Sequence, residues 1–178
     1  MDRKGLTRIT LIAFIILINI GLDQTTKQIA KERLQHTGVS SYFGDTFRFV
    51  YAENHGAFLS TGSDLEGIWH LMLLKILPVT MLTVLLFYTI FSKSINIYQT
   101  IALSFILGGG ISNIIDRLNY GGVIDFMNMG IGSLRTGIFN FADVSIMVGI
   151  GIFLVTNFKK NKTEKLEENL EAEPKTES

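Results

Sequence analysis

Phe139-Asn140-Phe141-Ala142-Asp143-Val144-Ser145-Ile146-Met147-Val148-Gly149-Ile150-Gly151-Ile152-Phe153-Leu154-Val155-Thr156-Asn157-Phe158 is the stretch that decides the fold. Beyond Asp143 no residue in it is charged, and its length matches the roughly 20 residues a helix needs to cross a bilayer. Asn140 suits an N-cap. Asp143 then falls in the first turn, where the helix dipole favours a negative charge. Capping alone explains Asn140. An ionisable group at membrane depth is expensive, however, and marks a functional-site hypothesis.

This apolar segment spans about Ile138–Phe158, and, working outward, three more have similar length: about Leu6–Leu22, Ile68–Phe91 and Tyr98–Ile115. Pro78 lies inside the second, which a membrane helix tolerates because neighbouring groups satisfy the freed carbonyl. The first segment also reads as a secretory signal, with Arg3, Lys4 and Arg8 before it, but Ile20-Gly21-Leu22-Asp23 lacks a small-residue cleavage site. A retained helix is the favoured reading. Three further aspartates stand at or near segment edges: Asp23, Asp116 and Asp125.

The 178 residues are 47% hydrophobic, and the apolar residues are gathered into runs rather than spread as in a soluble core. Lys+Arg and Asp+Glu are both 16, and no basic block with interleaved aromatics points to nucleic acid. The absence of cysteine excludes disulfides, thiolate metal sites and cysteine nucleophiles. His36, His55 and His70 are far apart and no H-E-x-x-H is present, so no metal site and no cofactor is expected.

Basic residues set the expected orientation. Arg3, Lys4 and Arg8, then Lys93, then Lys159, Lys160 and Lys162 fall on one side of a four-span chain, which makes that side and both termini cytoplasmic. The other side receives loops of about 23–67 and 116–137. In the first, Phe47, Phe49 and Tyr51 alternate with Thr46, Arg48 and Val50, the period of a half-buried strand. In the second, Val123–Met127 lies between glycines and reads as another strand. The expectation is a membrane α-helical protein with four transmembrane helices and a small extracytoplasmic β-sheet. Residues 1–160 form a single polytopic domain, followed by a disordered or loosely helical tail over 161–178, too polar to fold alone. All four aspartates fall on the outer side.

Each motif also has a plainer reading. Asp23 and Lys27 are spaced for a helical ion pair, with Lys27 reaching the headgroups as an anchor. Asn54-His55-Gly56-Ala57 reads as a turn. Gly108-Gly109-Gly110 reads as close helix packing. Asp116 reads as an ion-pair partner of the adjacent Arg117, and Asp125 as an exposed strand residue. A transporter using intramembrane carboxylates is the alternative function, although the aspartates gather on one side rather than crossing the bilayer and no internal repeat is visible. A non-enzymatic membrane scaffold is a third reading, under which carboxylate-to-amide changes would be harmless.

Taken in order, the motifs resemble the bacterial lipoprotein signal peptidases (signal peptidase II) over about Leu6–Phe158. They are D-Q-x-T-K at Asp23–Lys27, N-x-G-A at Asn54–Ala57, G-G-x-x-x-N-x-x-D-R at Gly108–Arg117, V-x-D-F at Val123–Phe126 and F-N-x-A-D at Phe139–Asp143. Two places depart from the family pattern: Phe58 and Leu59 after the second motif, and Ser112 where glycine is usual before Asn113. The resemblance implies a membrane aspartyl endopeptidase of the bacterial cytoplasmic (inner) membrane, with its active site at the outer face. It implies diacylglyceryl-modified prolipoproteins as substrates, cut on the amino side of the lipidated cysteine, contact with membrane lipid, and sensitivity to the cyclic peptide globomycin. It makes Asp125 and Asp143 the catalytic pair. Asp23, Lys27, Asn54, Gly56, Asn113, Asp116, Arg117, Asn140 and Ala142 become substrate-binding or site-supporting residues. Two carboxylates held close share a proton, and Asp143, at a helix start, is expected to be the more readily ionised.

Overall fold

The computed structural model describes residues 3–56 and 67–172, with side chains described no further than Phe158 and excluding that of Lys4. Ala57, Phe58 and Leu59 lie outside the described residues, as do 173–178. The helices are α1 (Arg3–Leu34), α2 (Gly67–Leu71), α3 (Leu77–Phe91), α4 (Ile97–Asn119) and α5 (Phe141–Ala172). The strands are β1 (Ser40–Tyr42), β2 (Phe47–Asn54), β3 (Val123–Ile131) and β4 (Leu134–Arg135), forming one sheet in the order β1-β2-β3-β4. Among the described residues, four helical stretches are long and apolar enough to cross a membrane: Gly5–Leu34, Gly67–Phe91, Ile97–Asn119 and Phe141–Phe158. A membrane α-helical fold with a small antiparallel sheet is therefore what the chain adopts.

The second stretch joins α2 to α3 through a π-helical turn, Met72–Ile76. Pro78 has no N–H and its ring crowds the preceding turn, and a wider turn just before it relieves that conflict.

Two boundaries differ from the sequence reading. The first helix does not end near Leu22 but continues to Leu34. Nothing from Asp23 to Leu34 breaks a helix, and the stop comes only at a turn, Thr37 N–H to the Leu34 carbonyl at 3.3 Å, followed by Gly38 at φ 73°. At 1.5 Å per residue α1 is about 48 Å long, well over the ~30 Å hydrocarbon layer. Asp23 and Lys27 thus lie inside a helix rather than at its end. In the second outer loop, β3 runs on to Ile131, well past Met127. The tail, expected to be disordered or loosely helical, continues α5 through 161–172, where Lys, Glu and Leu are strong helix formers.

α4 is the central helix. Its first turn is closed by a capping box between Asn96 and Gln99, and the Gln99 side chain donates to Asn157 of α5 at 2.6 Å. Further along, three successive glycines meet three helices. A Cβ on Gly108 would fall 2.8 Å from Asn19 of α1, one on Gly110 2.6 Å from Leu82 of α3, and one on Gly109 against the Ala142 carbonyl of α5. Gly149 makes the same approach in reverse, onto α4 at Ala102 and Ile106. The outward faces carry exposed Phe14, Leu17, Met81, Val84 and Met147, as lipid-facing surfaces require.

The extension of α1 gives the sheet its floor. Ala30 and Leu34 pack with Phe47, Phe49, Phe126, Met127, Phe139 and Val144. β2 and β3 pair antiparallel, with a bulge between Phe49 and Ala52 that brings Ala52 opposite Asp125 and Asn54 opposite Val123. Phe139 bridges to Met127, each N–H bonded to the other's carbonyl (2.8 and 2.9 Å). That pairing delivers Asn140 and the start of α5 beside Asp125.

Candidate active site

The site lies where α1, α4, β3 and the start of α5 meet. Its floor is a buried ion cluster. The Lys27 ammonium lies 2.6 Å from Asp23 and 2.8 Å from Asp116, with Lys27 2% exposed and both carboxylates fully buried. It also donates to the Asn113 side-chain oxygen at 2.9 Å. The helical ion pair expected from spacing is present, but Lys27 points inward instead of reaching the headgroups. Asp116 pairs with Lys27 of α1, not with its neighbour Arg117. Burying three charges is strongly unfavourable unless their oxygens find donors. Here each carboxylate oxygen has at least one. Asp23 accepts from the Ala142 N–H (2.8 Å) and the Ser112 hydroxyl (2.7 Å). Asp116 accepts from Gln24 (2.8 Å) and the Ile124 N–H (3.2 Å).

That last bond fixes the strand that carries Asp125. Arg117 ties down the opposite wall by donating to the Gly56 carbonyl (3.2 Å), while also bonding the Asn113 carbonyl (3.2 Å). The Gly56 N–H closes a turn onto the Asn54 side-chain oxygen at 3.0 Å, which turns the Asn54 amide nitrogen toward Asp125 at 3.3 Å. Gly122 passes close under His55, where a Cβ would sit 2.7 Å from the ring. The His55 ring is exposed and, among the described residues, its charged neighbour is Glu53, at 3.8 Å.

Above the ion cluster stand Asp125 and Asp143, joined by Asn140. The Asn140 side-chain nitrogen donates to Asp125 at 2.7 Å, while its backbone N–H donates to Asp143 at 3.1 Å. The Asp143 N–H returns a bond to the Asn140 side-chain oxygen at 2.9 Å, so the N-cap expected from sequence is formed. The second oxygen of Asp143 accepts from the Asn113 side chain at 3.0 Å. Asp125 is 4% exposed, so it is not the exposed strand residue of the plainer reading. Burial pushes its carboxyl up, and the neighbouring Asp143 charge adds to that; the donors Asn140 and Asn54 and the Lys27 charge oppose it, leaving a value of about 7. A carboxyl so placed can hold or release a proton near neutrality.

All eleven side chains or backbones singled out in the sequence meet in this one network: Asp23, Lys27, Asn54, Gly56, Asn113, Asp116, Arg117, Asp125, Asn140, Ala142 and Asp143. Gln24, Ser112 and the Ile124 backbone, whose N–H bonds Asp116, also belong to it. Gln24 sits within the D-Q-x-T-K motif, so its position carried a signal. Ser112, noted only as a departure, supplies a hydroxyl that bonds Asp23 and accepts from Gln24 at 3.0 Å. Among the described residues, no group of three or more His, Asp or Glu side chains is arranged to hold a metal ion.

Comparison with known proteins identifies the family and the fold. Residues 15–159 match the family model described as Signal peptidase (SPase) II. A lipoprotein signal peptidase of Borrelia hermsii is 33% identical over 170 residues, covering 92% of this chain and 97% of its own length. One from Buchnera aphidicola is 34% identical over 152 residues, covering 84% and 90%. A bacterial membrane enzyme structure solved by the in meso method at 2.3 Å resolution superposes with TM-score 0.69 at 22% identity, over 97% of this chain and 93% of that one. A second such enzyme, at 1.9 Å resolution, gives TM-score 0.69 at 25% identity, over 86% and 93%. The chain is thus a multi-pass membrane peptidase and belongs to the signal peptidase II family.

Proposed function

We propose that this peptidase is an aspartyl endopeptidase that removes signal peptides from diacylglyceryl-modified prolipoproteins, cutting on the amino side of the lipidated cysteine. The observation that carries the mechanism is the pair Asp125 and Asp143, held by one residue, Asn140, which donates to both. Asp143 accepts N–H bonds on both oxygens and serves as the ionised partner. It takes a proton from a water molecule, and the resulting hydroxide oxygen bonds to the scissile carbonyl carbon. Asp125, held near neutrality, gives its proton to the carbonyl oxygen as charge develops there. Collapse of the tetrahedral intermediate breaks the C–N bond, and the proton gained by Asp143 goes to the departing amine. The hydroxyl proton returns to Asp125, so the pair ends as it began.

The substrate arrives laterally from the lipid, held by its apolar signal helix and acyl chains. The uneven distribution of Lys and Arg supports an orientation with both termini in the cytoplasm and the site at the outer face, and membership of the family supports the bacterial inner membrane as the location. The same reading makes globomycin an inhibitor.

The test is cleavage of a diacylglyceryl prolipoprotein by the purified full chain in detergent, with EDTA present. Wild type should cut, and Asp125→Asn and Asp143→Asn should each lose at least about a thousandfold in rate. Wild-type rates in either amide variant would discard the pair, and a folded wild type that leaves the substrate intact would discard the substrate.

A further inference from the structure

Asn113 stands between the ion cluster and the aspartate pair. A side-chain amide can face either way, and two groups that can only donate decide its direction here. The Lys27 ammonium donates to the Asn113 oxygen at 2.9 Å, which leaves the Asn113 nitrogen to donate to Asp143 at 3.0 Å. The Asp143 backbone N–H donates to the Asn140 oxygen at 2.9 Å, which leaves the Asn140 nitrogen facing Asp125 at 2.7 Å and the Asn113 oxygen at 3.2 Å. Asp143 therefore accepts a short N–H bond on each oxygen. The second oxygen of Asp125 has the longer contact, 3.3 Å from Asn54.

Building on the aspartyl-pair reading, we propose that Lys27 is a positioning residue that acts through Asn113. By locking the Asn113 amide with its nitrogen toward Asp143, Lys27 keeps Asp143 the ionised partner and leaves the shared proton on Asp125. Lys27 touches neither carboxylate of the pair by hydrogen bond; its direct partners are Asp23, Asp116 and Asn113. Besides each other, the charged groups that act on the pair among the described residues are Lys27 and Asp23 from α1 and Arg117 from α4, with Asp116 beside Arg117 and Lys27. Reversing the amide would set its oxygen against Asp143, an acceptor against an acceptor. The proton would then move to Asp143 and the base would be lost.

The experiment is the pH profile of kcat/KM for wild type, Asn113→Ala, Lys27→Met and the double variant, with Lys27→Arg as the conservative rescue. Loss of the Asn113 donor should move the acid limb of the profile upward by about one pH unit or more, since one donor to a charged group is worth roughly that much. Lys27→Met should move it the same way, and Lys27→Arg should restore most of the wild-type position. In the Asn113→Ala background, Lys27→Met should move the limb by less than half as much as it does alone. Equal displacement in both backgrounds would overturn the proposal, because the ammonium would then act through space. If Lys27→Met does not fold, Asn113→Ala decides the matter alone: an unmoved acid limb overturns it. Wild-type rates in Asp125→Asn or Asp143→Asn would instead remove the reading on which it rests.

Discussion

At the scale of single residues, Asp125 illustrates how a site is maintained against the fold's own stability. Its carboxyl titrates near 7 in the folded protein, against 3.8 for a free aspartate. Between those values the folded state holds a proton that the unfolded chain has released. Its contribution to stability is therefore greatest below about pH 4 and is lost as pH rises toward 7. Asparagine cannot ionise and can still bond Asn140. Asp125→Asn should melt at a higher temperature than wild type at pH 8, with the gap closing below pH 4, as differential scanning fluorimetry in detergent would record. For wild type, kcat/KM should fall as pH rises through about 7, where Asp125 loses the proton it donates. Lys27 was the residue least legible from sequence. Its spacing from Asp23 gave the helical ion pair correctly. Its second partner, Asp116, lies on another helix, and no local pattern reports a contact of that separation, so the spacing alone suggests an interfacial anchor.

At the scale of elements, apolar length sufficed to find all four spans, and the N-x-x-D spacing found the cap at the start of α5. It did not find the end of α1. Lipid demands apolar residues only as far as about Leu22, and past that point a polar helix carries no membrane signal, though nothing in Asp23–Leu34 stops it. The bulge in β2 was also invisible, because an extra residue leaves the alternation intact on either side. The contact between α4 and α5 sets the position of the site, since the Ala142 carbonyl that Gly109 faces belongs to the residue whose N–H holds Asp23. Gly109→Ala puts a methyl against backbone, which cannot rotate away as a side chain would. We expect a loss of about 1–3 kcal/mol together with reduced cleavage. Gly151→Ala, at a glycine with open space around it, should leave both unchanged. Thermal melts and cleavage rates of the two variants would check this.

For the whole molecule, the orientation can be measured directly because the chain has no cysteine. A single cysteine replacing Leu134, at the exposed tip of the β3–β4 hairpin, should react with a membrane-impermeant maleimide in intact spheroplasts. One replacing Lys93, between α3 and α4, should react only after permeabilisation. The opposite pattern would place the aspartate pair in the cytoplasm and remove the lateral, outer-face route for substrate. Sequence carried the architecture this far because the bilayer restricts a chain to few solutions. What it could not carry was the convergence of residues from α1, α4, β3 and α5 on one point, which only long-range packing produces.

The three adjoining glycines of α4 have a consequence for freedom of motion. A helix with one tight contact can turn about its axis to relieve it. α4 has tight contacts in three directions, spaced about 100° apart, so turning away from one neighbour drives another glycine into the next. The helix that supplies Asn113, Asp116 and Arg117 is keyed against rotation, and the chemistry at its outer end inherits a fixed azimuth.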